Sequence, residues 1–188
     1  MDKIVFDIET KNSFADVGGQ GNLKALEASV VGVYSYLKDT FYCFEEHEFD
    51  QLAETLKRAH LLIGFSSKHF DVPVLEKYFN FNLGGIAHFD ILEEIEKIFG
   101  RRIGLGVLAE ANLGVGKTGK GLEAIELYRT GQIEKLKSYC LQDVKLTKEI
   151  FELIKNQGYL WIPQRDVPQM IKLPISYKEV IMPQAQLL

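Results

Sequence analysis

A chain of 188 residues with 46% hydrophobic and 26% charged side chains has room for one domain and a short appendage, so a single active site is sought, and disorder, collagen and fibre are excluded. The longest apolar stretches, around Val30 to Tyr34 and Leu61 to Phe65, fall far short of the ~20 residues a membrane span requires. Met1-Asp2-Lys3 begins no signal peptide, Cys43 and Cys140 form no C-x-x-C pair, and a net charge of −4 advertises no cationic field; a soluble, cytoplasmic protein is expected.

Lys3 to Glu9 reads K-I-V-F-D-I-E, a β-branched and aromatic run that predicts a buried strand ending in two acids. A loop through Gly18, Gly19 and Gly21 follows, then alternating apolar residues from Val30 to Leu37 predict a second strand. Lys38-Asp39-Thr40 predicts a tight turn and Phe41 to Phe44 a third strand pairing back on the second. Phe49, Leu52, Ala53 and Leu56 repeat at helical spacing, and His60 to Phe65 has the continuous apolar character of a fully covered strand. A helix is predicted to open near Asp71 and Pro73, and a fifth strand over Ile86 to Phe89. Helical spacing returns at Ile91 to Ile98, at Leu105 to Ala109, and most strongly from Ile133 to Ile154. Beyond Gly158 four of the five prolines are scattered among apolar residues, which reads as an extended tail. The expected organisation is a mixed α/β layer domain over 1–157 and a C-terminal tail over 158–188.

Strand side chains alternate, so Asp7 and Glu9 leave the same face about 6–7 Å apart at the carboxyl end of an apparently central strand, where open α/β sheets bind ligands. Taken alone, a D-x-E pair reads first as two solvated acids at a strand exit, and it is the context of the other acids that shifts the reading. Asp71 stands at a helix start, where capping is the ordinary role. Asp143 borders the buried stripe of the longest helix, with Tyr139 one turn earlier on the same face; a salt bridge with Lys145 or Lys148 is its ordinary alternative. If the four acids converge, each close carboxylate pair repels by roughly 3 kcal/mol at an effective dielectric of 20, so protons or cations must intervene. Oxygen-only ligands select Mg²⁺ or Mn²⁺, and two such ions suit in-line displacement at phosphorus.

F-D-I-E-T (Phe6 to Thr10), G-F-S-S-K-H-F-D-V-P-V-L (Gly64 to Leu75) and Y-C-L-Q-D-V-K-L-T (Tyr139 to Thr147) resemble, in order and spacing, the three motifs of DEDD 3′→5′ exonucleases of the tyrosine (DEDDy) branch. The middle motif is most similar to the proofreading domain of B-family DNA polymerases and small stand-alone bacterial and archaeal relatives. The resemblance implies a ribonuclease-H-like fold: a mixed five-stranded sheet, second strand antiparallel, flanked by helices. It implies two Mg²⁺ or Mn²⁺ ions, with Asp7, Glu9 and Asp143 at one, Asp7 and Asp71 at the other, and Tyr139 orienting the attacking water. The implied substrate is a single-stranded or frayed 3′ end, DNA favoured and RNA open. Relatives often carry an asparagine shortly before the middle aspartate, where this chain has Ser66 and Ser67; these two, with Thr10 and Phe70, are expected near the substrate. The other open readings are a catalytically silent module of the same fold and a nucleotide-dependent ATPase.

The ATPase reading comes from A-N-L-G-V-G-K-T (Ala111 to Thr118), which satisfies a relaxed phosphate-loop pattern, although Leu105 to Ala109 before it look helical and Gly119 and Gly121 are expected to disrupt the turn that follows. Lys117 and Lys120 from that loop are expected to contact substrate phosphate, in preference to Arg101 and Arg102. The four histidines lack zinc-site spacing. Trp161 is expected to pack, and the tail to dock on this domain or on a protein partner.

Overall fold

The structure is a computed structural model that describes residues 2–116, 121–164 and 167–179. Among these, strands β1 (Asp2–Thr10), β2 (Ala28–Ser35), β3 (Thr40–Glu45), β4 (Ala59–Gly64) and β5 (His88–Asp90) form one sheet in the order β3-β2-β1-β4-β5. β2 runs antiparallel to β1 and β3, while β4 runs parallel to β1 and β5 parallel to β4. The mixed five-stranded sheet with its second strand reversed is therefore present as expected.

Alternation along β1 divides the core into two layers. Ile4, Phe6 and Ile8 pack with the helix α1 (Phe49–Lys57), through Phe49, Leu52 and Leu56, and with α2 (Asp71–Leu75), through Val72, Val74 and Leu75. Val5 on the other face packs with Leu61, Ile63 and the long helix α6 (Ile133–Gln157), through Val144, Ile150, Phe151 and Ile154. Each fully buried leucine or isoleucine in these layers contributes roughly 1.5–3 kcal/mol. Asp7 and Glu9 continue the Val5 face, so the same alternation that buries the strand aims both acids at α6.

Helices α3 (Ile91–Phe99) and α4 (Leu105–Leu113) lie where periodicity predicts them. A further helix, α5 (Gly121–Arg129), is present where periodicity singled none out; the turn directly after Lys117 and Thr118, which the glycines are expected to disrupt, begins outside the described residues. Gly121 is its first residue, where a glycine costs far less than in a helix interior, and Ala124 and Ile125 bury its inner face. Because Ala111 to Leu113 belong to α4, no strand leads into the A-N-L-G-V-G-K-T run, and the phosphate-loop reading loses its context.

Gly158 ends α6 in the left-handed conformation (φ 74°) and turns the chain back. What the composition presents as an extended tail then pairs as an antiparallel hairpin, β6 (Tyr159–Gln164) with β7 (Val167–Pro174). Leu160, Ile162, Leu173 and Ile175 are buried beside Phe151. The Asn112 side chain on α4 donates to the Trp161 carbonyl (2.8 Å) and accepts from its amide (2.7 Å), pinning the hairpin to the core. Trp161 itself stays 38% exposed, edge-on to Tyr159, so its neighbours do the packing. None of the described helices is long and apolar enough to cross a membrane.

Candidate metal and nuclease site

Three local features bring the motif acids together. The first is the register of β1 and β2, which sets Asp7 opposite Gly32. A Cβ at Gly32 would lie 2.8 Å from Val144 Cγ2 and 3.0 Å from Cys140 Sγ, so the glycine is what lets α6 close onto the sheet here. Cys140 Sγ then sits 3.5 Å from the Asp7 carbonyl, and Asp143, one turn on, reaches the acids of β1. Asp7, Glu9 and Asp143 bring carboxylate oxygens within 4.8 Å of one another.

The second feature is where β4 stops. Its pairing with β1 ends at Val5–Ile63, which leaves the Ile8 amide open on that side. The Asp71 carboxylate, at the first turn of α2, accepts that N–H at 3.1 Å. Burial pushes the Asp71 carboxyl up to about 7, opposed by its backbone hydrogen bonds and assisted by the negative charge of Asp90.

The third is Asp90, a residue not singled out from sequence. It is 1% exposed and caps α3, its Oδ1 accepting from the Leu92, Glu93 and Ser66 amides and its Oδ2 from the Lys68 amide at 2.9 Å. One carboxylate thus ties the β4–α2 connection to α3 and fixes the approach to Asp71. Its position immediately before the apolar run Ile91-Leu92 is an N-cap signature readable in the sequence.

Asp7, Glu9, Asp71 and Asp143 all line one cleft of about 440 Å³. Three carboxylates with oxygens under 5 Å apart repel by roughly 3 kcal/mol per ionised pair at an effective dielectric of 20. An all-oxygen donor set of this charge fits a hard divalent cation of the Mg²⁺ or Mn²⁺ kind.

The other residues predicted to act here divide. Tyr139 is on α6 one turn before Asp143, 9% exposed and packed with Val30, Ala124 and Leu136; it is outside the cleft lining. Ser66 lines the cleft, with its backbone in the left-handed region (φ 64°). Ser67 does not: it is fully buried, its hydroxyl bonded to His88 Nε2 at 2.8 Å, and it folds so close to Gly64 that a Cβ there would lie 2.0 Å from its Oγ. Its expected place near the substrate is therefore corrected to a buried structural one. Thr10 and Phe70 line an adjoining apolar hollow of about 440 Å³, with Phe14, Leu122 and Ile125. Phe14 and Phe70 meet edge to face (centroids 5.8 Å apart) and border both this hollow and the acidic cleft. Lys117 and Lys120 lie outside the described residues. Arg101 turns away to the Pro163 carbonyl and the Phe99 ring, whereas Arg102 enters the cleft lining.

A family model described as RNase_H superfamily matches residues 4–155, and the chain belongs to that superfamily. Among solved structures, the family B DNA polymerase from the hyperthermophilic archaeon Pyrobaculum calidifontis is similar, with a TM-score of 0.64 at 19% identity over 82% of this chain. The match covers 24% of that polymerase, so this chain corresponds to about a quarter of its length. No curated protein matches the chain.

Proposed function

We propose that the chain is a divalent-metal-dependent 3′→5′ exonuclease of the DEDDy kind, acting on single-stranded or frayed ends, with DNA favoured. The observation that carries the reading is the convergence of Asp7, Glu9 and Asp143, with oxygens within 4.8 Å, in the cleft that Asp71 also lines. Superfamily membership and the shared fold with a DNA polymerase support a nucleic-acid substrate.

Asp7, Glu9 and Asp143 would hold one ion and Asp7 with Asp71 a second. Bound there, such ions supply charge neutralisation at the phosphodiester and a water acidic enough to react near neutral pH. The chain's own residues do the rest. The hollow of Thr10, Phe14, Phe70 and Ile125 offers an apolar seat for a terminal nucleoside, with aromatic edges of the kind that bases pack against. Tyr139, packed against α5 one turn before Asp143 and outside the cleft lining, would orient a water without being its main base, the role that the motif resemblance implies. Water attacks phosphorus, the P–O3′ bond breaks, the proton passes to the departing 3′ oxygen, and a 5′-mononucleotide is released.

The test uses matched 3′-labelled DNA and RNA strands incubated with Mg²⁺, Mn²⁺ or chelator. Wild type is expected to shorten the strand stepwise only with metal, and Tyr139→Phe to keep partial activity. Equal degradation by wild type and Asp7→Asn would refute the assignment, and absence of degradation from both would favour a silent binding module.

A further inference from the structure

Three hollows lie side by side and share walls. The apolar hollow at Thr10 shares Ile8, Glu9, Phe14 and Phe70 with the acidic cleft. The acidic cleft shares Ser66, His69 and Arg102 with a smaller groove of about 260 Å³ lined by Lys68 and by Leu92, Glu93 and Glu96 of α3. The acids of β1 and α6 border the cleft but not that outer groove, so Arg102 stands at the boundary between the two.

Its guanidinium is held there before any substrate arrives. Nη2 donates to Ser66 Oγ at 2.6 Å and Nη1 to Glu96 at 2.9 Å. Ser66 is in turn fixed by its left-handed backbone and by the hydrogen bond that its backbone N–H donates to Asp90. These two bonds engage two of the five N–H donors of an arginine, and the side chain remains 50% exposed. A planar, permanently charged fork with donors to spare, anchored at a cleft mouth, is suited to a phosphate.

We infer that Arg102 binds the phosphate one nucleotide upstream of the scissile bond, and that the substrate strand runs from the Phe14–Phe70 hollow, across the acids, to the groove beside α3. This rests on the exonuclease reading and adds to it a direction and a minimum substrate: a 3′ end carrying at least one internucleotide phosphate beyond the one that is cut. Arg102 is a binding residue in this scheme, not a ligand of the reacting atoms.

The trinucleotide d(TpTpT) has that extra phosphate and the dinucleotide d(TpT) lacks it. Wild type is expected to show a kcat/KM about tenfold higher on the trinucleotide, mainly through KM, and Arg102→Gln to reduce that preference below twofold, with product release followed by chromatography. On a single-stranded ten-mer, the dependence of log kcat/KM on log salt concentration should become shallower by about 0.7 in Arg102→Gln, the share of one phosphate contact, and be retained in Arg102→Lys. A wild type without the preference, or an Arg102→Gln that keeps both preference and slope, overturns the assignment. An equal loss on both short substrates with an unaltered slope overturns it too, by making Arg102 a support for Ser66 only. A wild type that cleaves none of the three with either metal brings down the exonuclease reading itself, which distinguishes the two failures.

Discussion

At its amino end β1 buries Asp2, whose carboxylate accepts from the Ser35 hydroxyl and, at 2.9 Å, from the Leu37 amide. At its carboxyl end the same strand aims Asp7 and Glu9 at Asp143 across the α6 interface. Both ends contain buried acid, and both adjoin a hollow. The one beside Asp2, between α1 and the β2–β3 edge, is the larger, about 930 Å³ against 440 Å³, and mostly apolar. The difference is what the carboxylates face. The Asp2 carboxylate faces donors and joins β1 to the end of β2 and the turn after it. Acids within 4.8 Å of one another repel, so mutual proximity, and not burial or cavity size, is what singles out the carboxyl end of β1 as the candidate ligand site.

The comparison is broken most severely by exchanging one acid at each end. Asp143→Asn is expected to lower Mg²⁺-dependent nucleotide release by more than about a thousandfold, since on the proposed reading a positioned metal ligand is removed. In chelator the same variant should melt a few degrees higher, because losing one of three close charges relieves up to about 3 kcal/mol per pair. Asp2→Asn should do the reverse: activity within twofold of wild type, and stability in urea lower by about 1–3 kcal/mol for the lost charge-assisted bonds. If Asp2→Asn abolishes nucleotide release and Asp143→Asn spares it, the two ends have been misassigned.

A substitution that touches no acid sharpens the argument. Gly32→Ala places a methyl 2.8 Å from Val144 and 3.0 Å from Cys140, so α6 must move off the sheet or Val144 must leave its rotamer. Overpacking of this kind costs about 1–3 kcal/mol. A shift near 1 Å at a reacting centre costs about a hundredfold in rate. The expected outcome is a folded protein, visible as an intact cooperative melt, with activity reduced by about that factor. Full activity in Gly32→Ala would mean that the closeness of α6 to β1 is not what assembles the site.

Most of the sheet is legible in the chain because each strand carries a local pattern. β1 alternates, β4 is a short apolar run, and the two acids of β1 share a face by the same period that buries Ile4 and Phe6. Asp143 is legible too, as an acid on the border of a buried stripe. What escapes is what depends on register between distant segments. Arg102 meets Ser66 across 36 positions and Asp90 reaches the Ser66 amide across 24, contacts made only once β4 and β5 lie parallel. Ser67 looks like a substrate ligand by type, yet Gly64 gives it a niche that no single-residue property announces. The hairpin of residues 159–174 is hidden for another reason: its prolines argue for irregular chain, and only the pairing of β6 with β7 shows that an antiparallel ladder accommodates them.

The smallest expected effect concerns proton linkage in the metal-free protein, and it separates the two sides of the β4–α2 connection. Asp71, raised by burial from 3.8 to about 7, binds a proton in the folded chain that the unfolded chain has lost, so its contribution to stability is complete below pH 4 and falls as pH rises to 7. His88, lowered by burial from 6.5 to about 4, works in the opposite sense: the unfolded chain takes up the proton first, so stability falls as pH drops from 6.5 to 4. Across pH 4.5–6 the two slopes have opposite sign and about the same size, near 1 kcal/mol per unit, so wild type should be almost flat. Urea unfolding in chelator across that range is expected to show Asp71→Asn gaining stability with pH and His88→Gln losing it. If Asp71→Asn instead stays as flat as wild type, the carboxylate ionises in the folded chain at its ordinary pH, and the cleft must then be stabilising its charge without help from a cation.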